Sequence, residues 1–265
     1  MSKPFSTLHD LHCHSTLSAC CKDENCTAEA VFQQAKEMGY DTFCLTNHLW
    51  DSAVPGASAW YAPQNIEHVL SHKQFANVPG MRCLYGCETD YTGHGHLGLA
   101  KEHFDLFDFV VIPPNHMHMQ GFVRPEGVTT PEQMAPLFLE RLDEISQLDI
   151  PMEKVGIAHM TCPLLYREGK VADVVRLMDE DKLHEIFARF AARGAGIELN
   201  QGAFKEMDED PDAILKLYRI AKEEGCKFYC SSDSHSLAAY RTMQERLAPV
   251  VAALNLTEDD RYIIP

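Results

Sequence analysis

Fourteen histidines in 265 residues carry most of the chemical content of this sequence, because many of them fall at telling places. Two stand two apart in Asp10-Leu11-His12-Cys13-His14. Others follow short apolar runs: His48 in Thr46-Asn47-His48, His116 in Pro113-Pro114-Asn115-His116, His159 in Ile157-Ala158-His159, and His235 in Ser232-Asp233-Ser234-His235. Glu88, in Gly86-Cys87-Glu88, and Asp233 add carboxylates. Imidazole and carboxylate together suit Zn, Mn, Fe or Co and do not suit an all-oxygen Ca or Mg cage. Six histidines and two carboxylates exceed the needs of one tetrahedral ion. They predict a cluster of two or three divalent transition metals, with Glu88 as the bridging carboxylate. Two ions about 3.5–4 Å apart can hold a bridging hydroxide and stabilise both the attacking and the leaving oxygen of a displacement.

Each residue alone has an ordinary explanation. A His-x-His pair arises by chance, His159 could be a satisfied core histidine, Glu88 could simply end a strand, and Asp233 could cap a helix. Taken together these explanations fail, because ionisable groups buried at the ends of most strands would carry a large desolvation cost without metal.

The elements that must position these groups are legible as an alternation. Apolar runs at 8–13, 42–46, 82–87, 109–112, 155–158, 195–199 and 227–231 read as buried strands, with helical patterns between most of them. Over 27–38, Thr27 is a plausible N-cap, Glu29 suits the helix dipole, and Ala28, Val31, Phe32, Ala35 and Met38 form one apolar face. Over 211–224, Pro211 opens a helix that Gly225 closes. Further helices are expected near 65–76, 131–147, 179–193 and 237–254. Strands alternating with helices imply an α/β fold with parallel pairing through right-handed crossovers. The pattern by itself suits either a closed barrel or an open doubly wound sheet. In a parallel barrel, the strand ends that carry these ligands converge on one face. His12 and His14 end the first strand and, two apart, point the same way, as do Asp233 and His235 if the last strand runs that far.

With no composition break, repeat or flexible linker, residues 1–265 read as a single domain. No leading apolar segment and no run of roughly 18 apolar residues is present, so a soluble, cytoplasmic protein without membrane association is expected. The ten cysteines read as reduced thiols. A net charge of −16 argues against binding a nucleic acid polymer, which needs clustered Lys and Arg. Nothing in the sequence addresses the oligomeric state. His68, His72, His103 and His184 read as solvated, His9 faces away from His12, and His94, His96 and His118 lie near the site in sequence.

The ordered set Asp10-x-His12-x-His14, Thr46-Asn47-His48, Gly86-x-Glu88, the strand-then-His of 109–116, His159 and Ser232-Asp233-Ser234-His235 resembles the polymerase-and-histidinol-phosphatase (PHP) family of metal-dependent phosphoesterases. The likeness runs from Asp10 to His235, and 108–116 and 196–205 look most like its histidinol-phosphatase branch. The resemblance implies a distorted seven-stranded, TIM-like (β/α)7 barrel of PHP type. It also implies two or three metals: one on His12, His14, Glu88 and Asp233, a second on His48 and His235, and a third on Glu88, His116 and His159. Two positions depart from the family pattern. Cys20 stands where Asp or His is usual, so either its thiolate ligates or Cys21, Asp23 or a water takes the place; a small zinc clip of Cys20, Cys21 and Cys26 is the other reading of that loop. Asn47 replaces the usual Asp.

The reaction this implies is hydrolysis of a small, histidinol-phosphate-like phosphomonoester by a metal-bridged hydroxide. Arg167 and Lys205 are candidates to hold the phosphate, and Asp233 or His235 to move protons. The alternatives are a nuclease or nucleotide phosphoesterase of the same family, a non-catalytic metal-binding PHP module, or a metal-dependent hydrolase of another bond, such as an amide.

Overall fold

The structure, a computed structural model, describes residues 2–265. Its strands are β1 (His9–Asp10), β2 (Thr42–Leu45), β3 (Arg82–Tyr85), β4 (Cys87–Glu88), β5 (Tyr91–Gly93), β6 (His96–Leu97), β7 (Val110–Ile112), β8 (Val155–Ile157), β9 (Gly196–Asn200) and β10 (Lys227–Ser231). The α-helices are α1 (Ala28–Glu37), α2 (Ile66–Leu70), α3 (Pro131–Gln147), α4 (Val171–Arg176), α5 (Glu180–Arg193), α6 (Pro211–Glu223) and α7 (Met243–Ala253). The expected α/β class is therefore present. One sheet runs β1-β2-β3 and a second β10-β9-β8-β7-β4, and every pairing within both is parallel. A small antiparallel hairpin, β5-β6, stands apart.

The two sheets meet at two places. β3 and β4 are consecutive, interrupted only at Gly86. A side chain there would strike the carbonyl oxygen of Phe109, and would lie 2.9 Å from Thr46 Cγ2 and 3.1 Å from Cys44 Sγ, so only glycine lets the chain bend this close to its neighbours. At the other edge the Leu11 N–H donates to the Cys230 carbonyl at 3.1 Å.

The strands are covered on both faces, which is why they read as continuous apolar runs. One face meets the helices. α1 is capped by Thr27, whose side chain accepts from the Ala30 N–H, and it buries Ala28, Val31, Phe32 and Ala35 as the sequence predicts. α6 begins at Pro211 behind the N-cap Asp210 and buries Ile214, Leu215, Leu217, Tyr218 and Ala221. The other face packs a second core of Leu11, Cys44, Leu84, Phe109, Val111, Ala158 and Tyr229, closed by Tyr262 and Ile264 from the C-terminal segment. Leu11 and Ala158, which precede His12 and His159 in the chain, join this core to the histidines.

His9 belongs to the edge where the sheets meet. Its ring is buried, and Nε2 accepts from the Cys230 N–H at 2.9 Å. Burial, with the Arg261 charge adding to it, pushes its pKa down to about 3. The unfolded chain binds this proton below a pH of about 6.5 while the folded chain does not. The contribution is therefore full above that value and is lost as pH falls toward 3. The thermal midpoint of metal-free protein should drop on acidification through this window, and with a shallower slope in His9→Gln; parallel slopes would show that His9 carries none of the effect.

Candidate metal centre

Six histidines and two carboxylates come together where the strands end. His12 and His14 follow β1, His48 follows β2, Glu88 ends β4, His116 follows β7, His159 follows β8, and Asp233 and His235 follow β10. Glu88 is the hub, fully buried, with its two oxygens turned to different neighbours. Oε2 faces His48 Nδ1 at 2.9 Å, His14 Nε2 at 3.3 Å and His12 Nε2 at 3.4 Å. Oε1 faces His159 Nε2 at 3.4 Å and His116 Nε2 at 3.6 Å. Asp233 Oδ1 lies 3.2 Å from His14 Nε2 and 3.7 Å from His12 Nε2.

These contacts are close without being good hydrogen bonds. Glu88 Oε2 is buried and accepts none, although three imidazole nitrogens surround it, and His12 and His14 present their Nε2 atoms to each other at 3.2 Å. Lone pairs aimed at common points, rather than at each other, are what ligands of shared cations require. The donor atoms form three groups, each within 4.8 Å: His12, His14 and Asp233; Glu88, His116 and His159; and His14, Cys20, His48 and His235. Nitrogen, carboxylate and thiolate donors fit transition metals of the zinc type, so the residues present fit the ions the sequence implied.

The opposite edges of the rings are tethered. His12 Nδ1 pairs with Glu198 Oε1 at 2.6 Å, His116 Nδ1 with Asp90 Oδ1 at 2.7 Å, His159 Nδ1 with Asn115 Oδ1 at 2.8 Å, and His14 Nδ1 with Ser18 Oγ at 3.1 Å. Such partners select the tautomer that leaves Nε2 free and raise its basicity. Glu198 also accepts from the His159 N–H, and Tyr61 donates to Asp90 at 2.5 Å. Glu198→Gln keeps the shape but weakens this tether. It should cost about 10–100-fold in metal affinity or activity, read by chelator competition. Unchanged affinity and rate would count against the tether.

Electrostatics divide the candidate ligands. Burial alone would raise the Glu88 pKa, but His48 and His12 hold it well below the usual carboxylate range. Burial pushes His14 well below its ordinary value, with His235 and His48 adding to the effect. An anionic Glu88 and a neutral His14 are the forms that metals bind, whereas Glu198 and Glu88 hold His12, and Glu88 holds His48, well above the ordinary value despite burial, so these two rings must give up protons to a cation. Burial likewise works to raise Cys20, but hydrogen bonds from His235 and His48 bring the thiol down to about 6.

The backbone is bent to achieve this. His159 has φ of 28° and Asp233 φ of 48°, both in the left-handed region, where a non-glycine residue costs about 1–3 kcal/mol. β1 stops at Asp10 and β10 at Ser231, so neither His12 and His14 nor Asp233 and His235 converge by strand alternation. A turn does it, pinned where the Asp233 N–H donates to the His12 carbonyl at 2.8 Å. Asp10, at the head of the first motif, is no ligand. It accepts from the Ser232 hydroxyl at 2.5 Å and so ties β1 to that same turn. Asn47 organises the neighbouring loop, its Oδ1 accepting from the Ser15 N–H at 2.8 Å and the Ser18 hydroxyl at 2.9 Å, and Ser18 Oγ accepts in turn from the His48 N–H. An uncharged amide suffices for that task.

A cavity of about 510 Å³ opens onto the centre, with Cys20, Asp233 and His235 among its walls. Trp60, Met119 and Leu164 give it an apolar side, and Arg167 a cation. Lys205, the other expected phosphate anchor, is a correction: it is exposed and does not line the cavity, because the turns over 201–209 carry it outward. His68, His72, His103 and His184 join none of the metal-type groups, as expected; each is only half buried, and His103 pairs with Asp51 and His184 with Glu224. His118 lines the cavity. Glu198, Asp90 and Tyr61 escaped sequence reasoning. The one available signal was an acid inside an apolar strand, in Gly196-Ile197-Glu198-Leu199.

The family model for the PHP domain matches residues 10–202. Among curated proteins nothing matches. A histidinol phosphate phosphatase from Lactococcus lactis, solved with zinc, L-histidinol and phosphate, superposes with a TM-score of 0.58 at 18% identity, covering 91% of this chain and 93% of that one. A protein from Listeria monocytogenes with a provisional histidinol-phosphatase name superposes with a TM-score of 0.64 at 17% identity, covering 87% of this chain and 96% of that one. At these identities the likeness is one of fold. Among the described residues no helix is long and apolar enough to cross a membrane.

Proposed function

The chain belongs to the PHP domain family, and from that premise we propose that it is a metal-dependent phosphoesterase that hydrolyses a small phosphomonoester. The observation that carries the reading is Glu88, whose Oε2 serves three histidines while its Oε1 serves two others, as a carboxylate shared between cations must. On this reading residues 1–265 are one domain, and the two sheets, meeting at Gly86 and at Leu11–Cys230, form one distorted barrel.

His12, His14, Glu88 and Asp233 would hold one ion, His48 and His235 a second, and Glu88, His116 and His159 a third. When bound, such ions make a nucleophile of water near neutral pH and neutralise charge on phosphoryl oxygens. The chain's own residues do the rest. Arg167 lines the cavity, and its guanidinium is the cation placed to grip a phosphate by two oxygens. Asp233 Oδ1 is taken up by the histidines, while Oδ2 faces the Asn200 amide at 3.4 Å; His12, His14 and His235 keep the carboxyl ionised despite its burial, so Oδ2 can accept a hydrogen bond from water. Trp60, Met119 and Leu164 exclude water from one side and receive the organic part of the ester. The net acidity favours a small substrate over a polymer.

The experiment is metal content and phosphate release on one preparation, for wild type and His14→Ala. The substrates are a chromogenic phosphomonoester, histidinol phosphate and a dinucleotide. Release from the monoesters that His14→Ala abolishes supports the reading, and preference for the dinucleotide moves the chain to the nuclease side of the family. Metal-loaded wild type that releases phosphate from none of them sinks it, leaving a metal-binding module.

A further inference from the structure

We infer that Cys20 is a thiolate ligand of the second metal position, beside His48 and His235, and that its sulfur makes this position select zinc over manganese. The inference rests on the metal-centre reading above.

Cys20 Sγ lies within 4.8 Å of ring nitrogens of His14, His48 and His235, and these lie within the same distance of one another. His14 is committed elsewhere, its Nε2 being 3.2 Å from Asp233 Oδ1 and 3.3 Å from Glu88 Oε2. His235 Nδ1 is occupied by the Asp233 carbonyl at 2.8 Å, which leaves Nε2 as its metal-facing nitrogen. One thiolate and two imidazoles remain, with a further position open to the cavity that Cys20 and His235 line. Three protein ligands and an open site is the pattern of catalytic zinc, and two imidazoles with sulfur is within its range.

The neighbouring thiols do not compete. Cys21 Sγ donates to the His235 carbonyl at 3.2 Å and Cys26 Sγ to the His14 carbonyl at 3.5 Å, both turned to backbone. A clip of Cys20, Cys21 and Cys26 is therefore not formed. The ligand sets of the centre are consequently unequal. Positions built on Glu88, Asp233 and imidazole suit harder ions, whereas thiolate is a soft donor that favours zinc over manganese. On coordination the Sγ–H bond gives its proton to water as the sulfur–metal bond forms.

The test uses full-length protein stripped with a chelator and reloaded with Co(II), whose thiolate bonds absorb in the near ultraviolet. Wild type should show this sulfur-to-cobalt band, and zinc should bleach it. Cys20→Ser should lack the band while keeping the weaker visible bands of cobalt on nitrogen and oxygen. In a mixture of zinc and manganese, Cys20→Ser should retain one zinc per chain fewer than wild type. Cys20→Asp, which restores a hard donor, should refill that position with manganese, and it serves as the second variant if serine disturbs folding. Cobalt bound with no sulfur band, or a band equal in wild type and both variants, overturns the thiolate while leaving the metal centre standing. No cobalt bound at all overturns both.

Discussion

Glu88→Gln is expected to abolish phosphate release, by about 10³-fold or more, which corresponds to ~4 kcal/mol of transition-state stabilisation. The size follows from the position. Glu88 is the single anion that faces His12, His14 and His48 through one oxygen and His116 and His159 through the other. An amide keeps the shape but removes the charge, and its nitrogen cannot ligate. Two metal positions then lose a ligand together. Elemental analysis should show the variant depleted in metal, and the loss should appear in kcat/KM for every substrate alike. A variant that keeps wild-type metal content and rate would remove Glu88 from the centre. A variant with full metal but no activity would keep it as a catalytic group without a bridging role.

Stripping the metals should lower the thermal midpoint by on the order of 10 °C. A ligand present at about a thousand times its Kd stabilises the folded state by roughly 4 kcal/mol, and a domain of this size shifts by about 2–4 °C per kcal/mol. The site gives a reason for a large effect. His12, His14, Glu88 and His159 are almost wholly buried, and His48 and His116 nearly so. Burying such a set without counter-charge is costly, and the left-handed backbone at His159 and Asp233 adds strain. Thermal melts with chelator, and again after adding zinc, measure the effect. A midpoint indifferent to both would mean that the fold holds this arrangement unaided.

Most of the residues gathered at the centre were readable from type and place. His12, His14, His48, Glu88, His116, His159, Asp233 and His235 each follow or end a strand that apolar patterning locates to within a residue or two, except that the first strand, expected to run to Cys13, stops at Asp10. α1 and α6 were equally open, because their caps and faces are local. The tethers were not readable. Glu198 lies 186 residues from His12 along the chain, and Asp90 lies 26 from His116; only folding brings each pair together. α4 escaped because its first N–H groups, at Val171 and Ala172, are satisfied by the carboxylate of distant Glu206 rather than by a local cap. The β5-β6 hairpin was missed too, although Gly93 and Gly95 flank its turn at positive φ.

What the sequence determined by itself, then, was the α/β alternation and the kind of chemistry. Hydrophobic period, helix caps and donor atom types are properties of short segments, and they hold whatever surrounds them. The tertiary structure decided which donor atoms lie within reach of one another, that Arg167 rather than Lys205 lines the cavity, and that Cys20 joins the histidines while Cys21 and Cys26 turn to backbone. Those outcomes depend on distances between atoms far apart in the chain, fixed by the packing of parallel strands over a common core and by two residues held in an unfavourable backbone conformation at the centre itself.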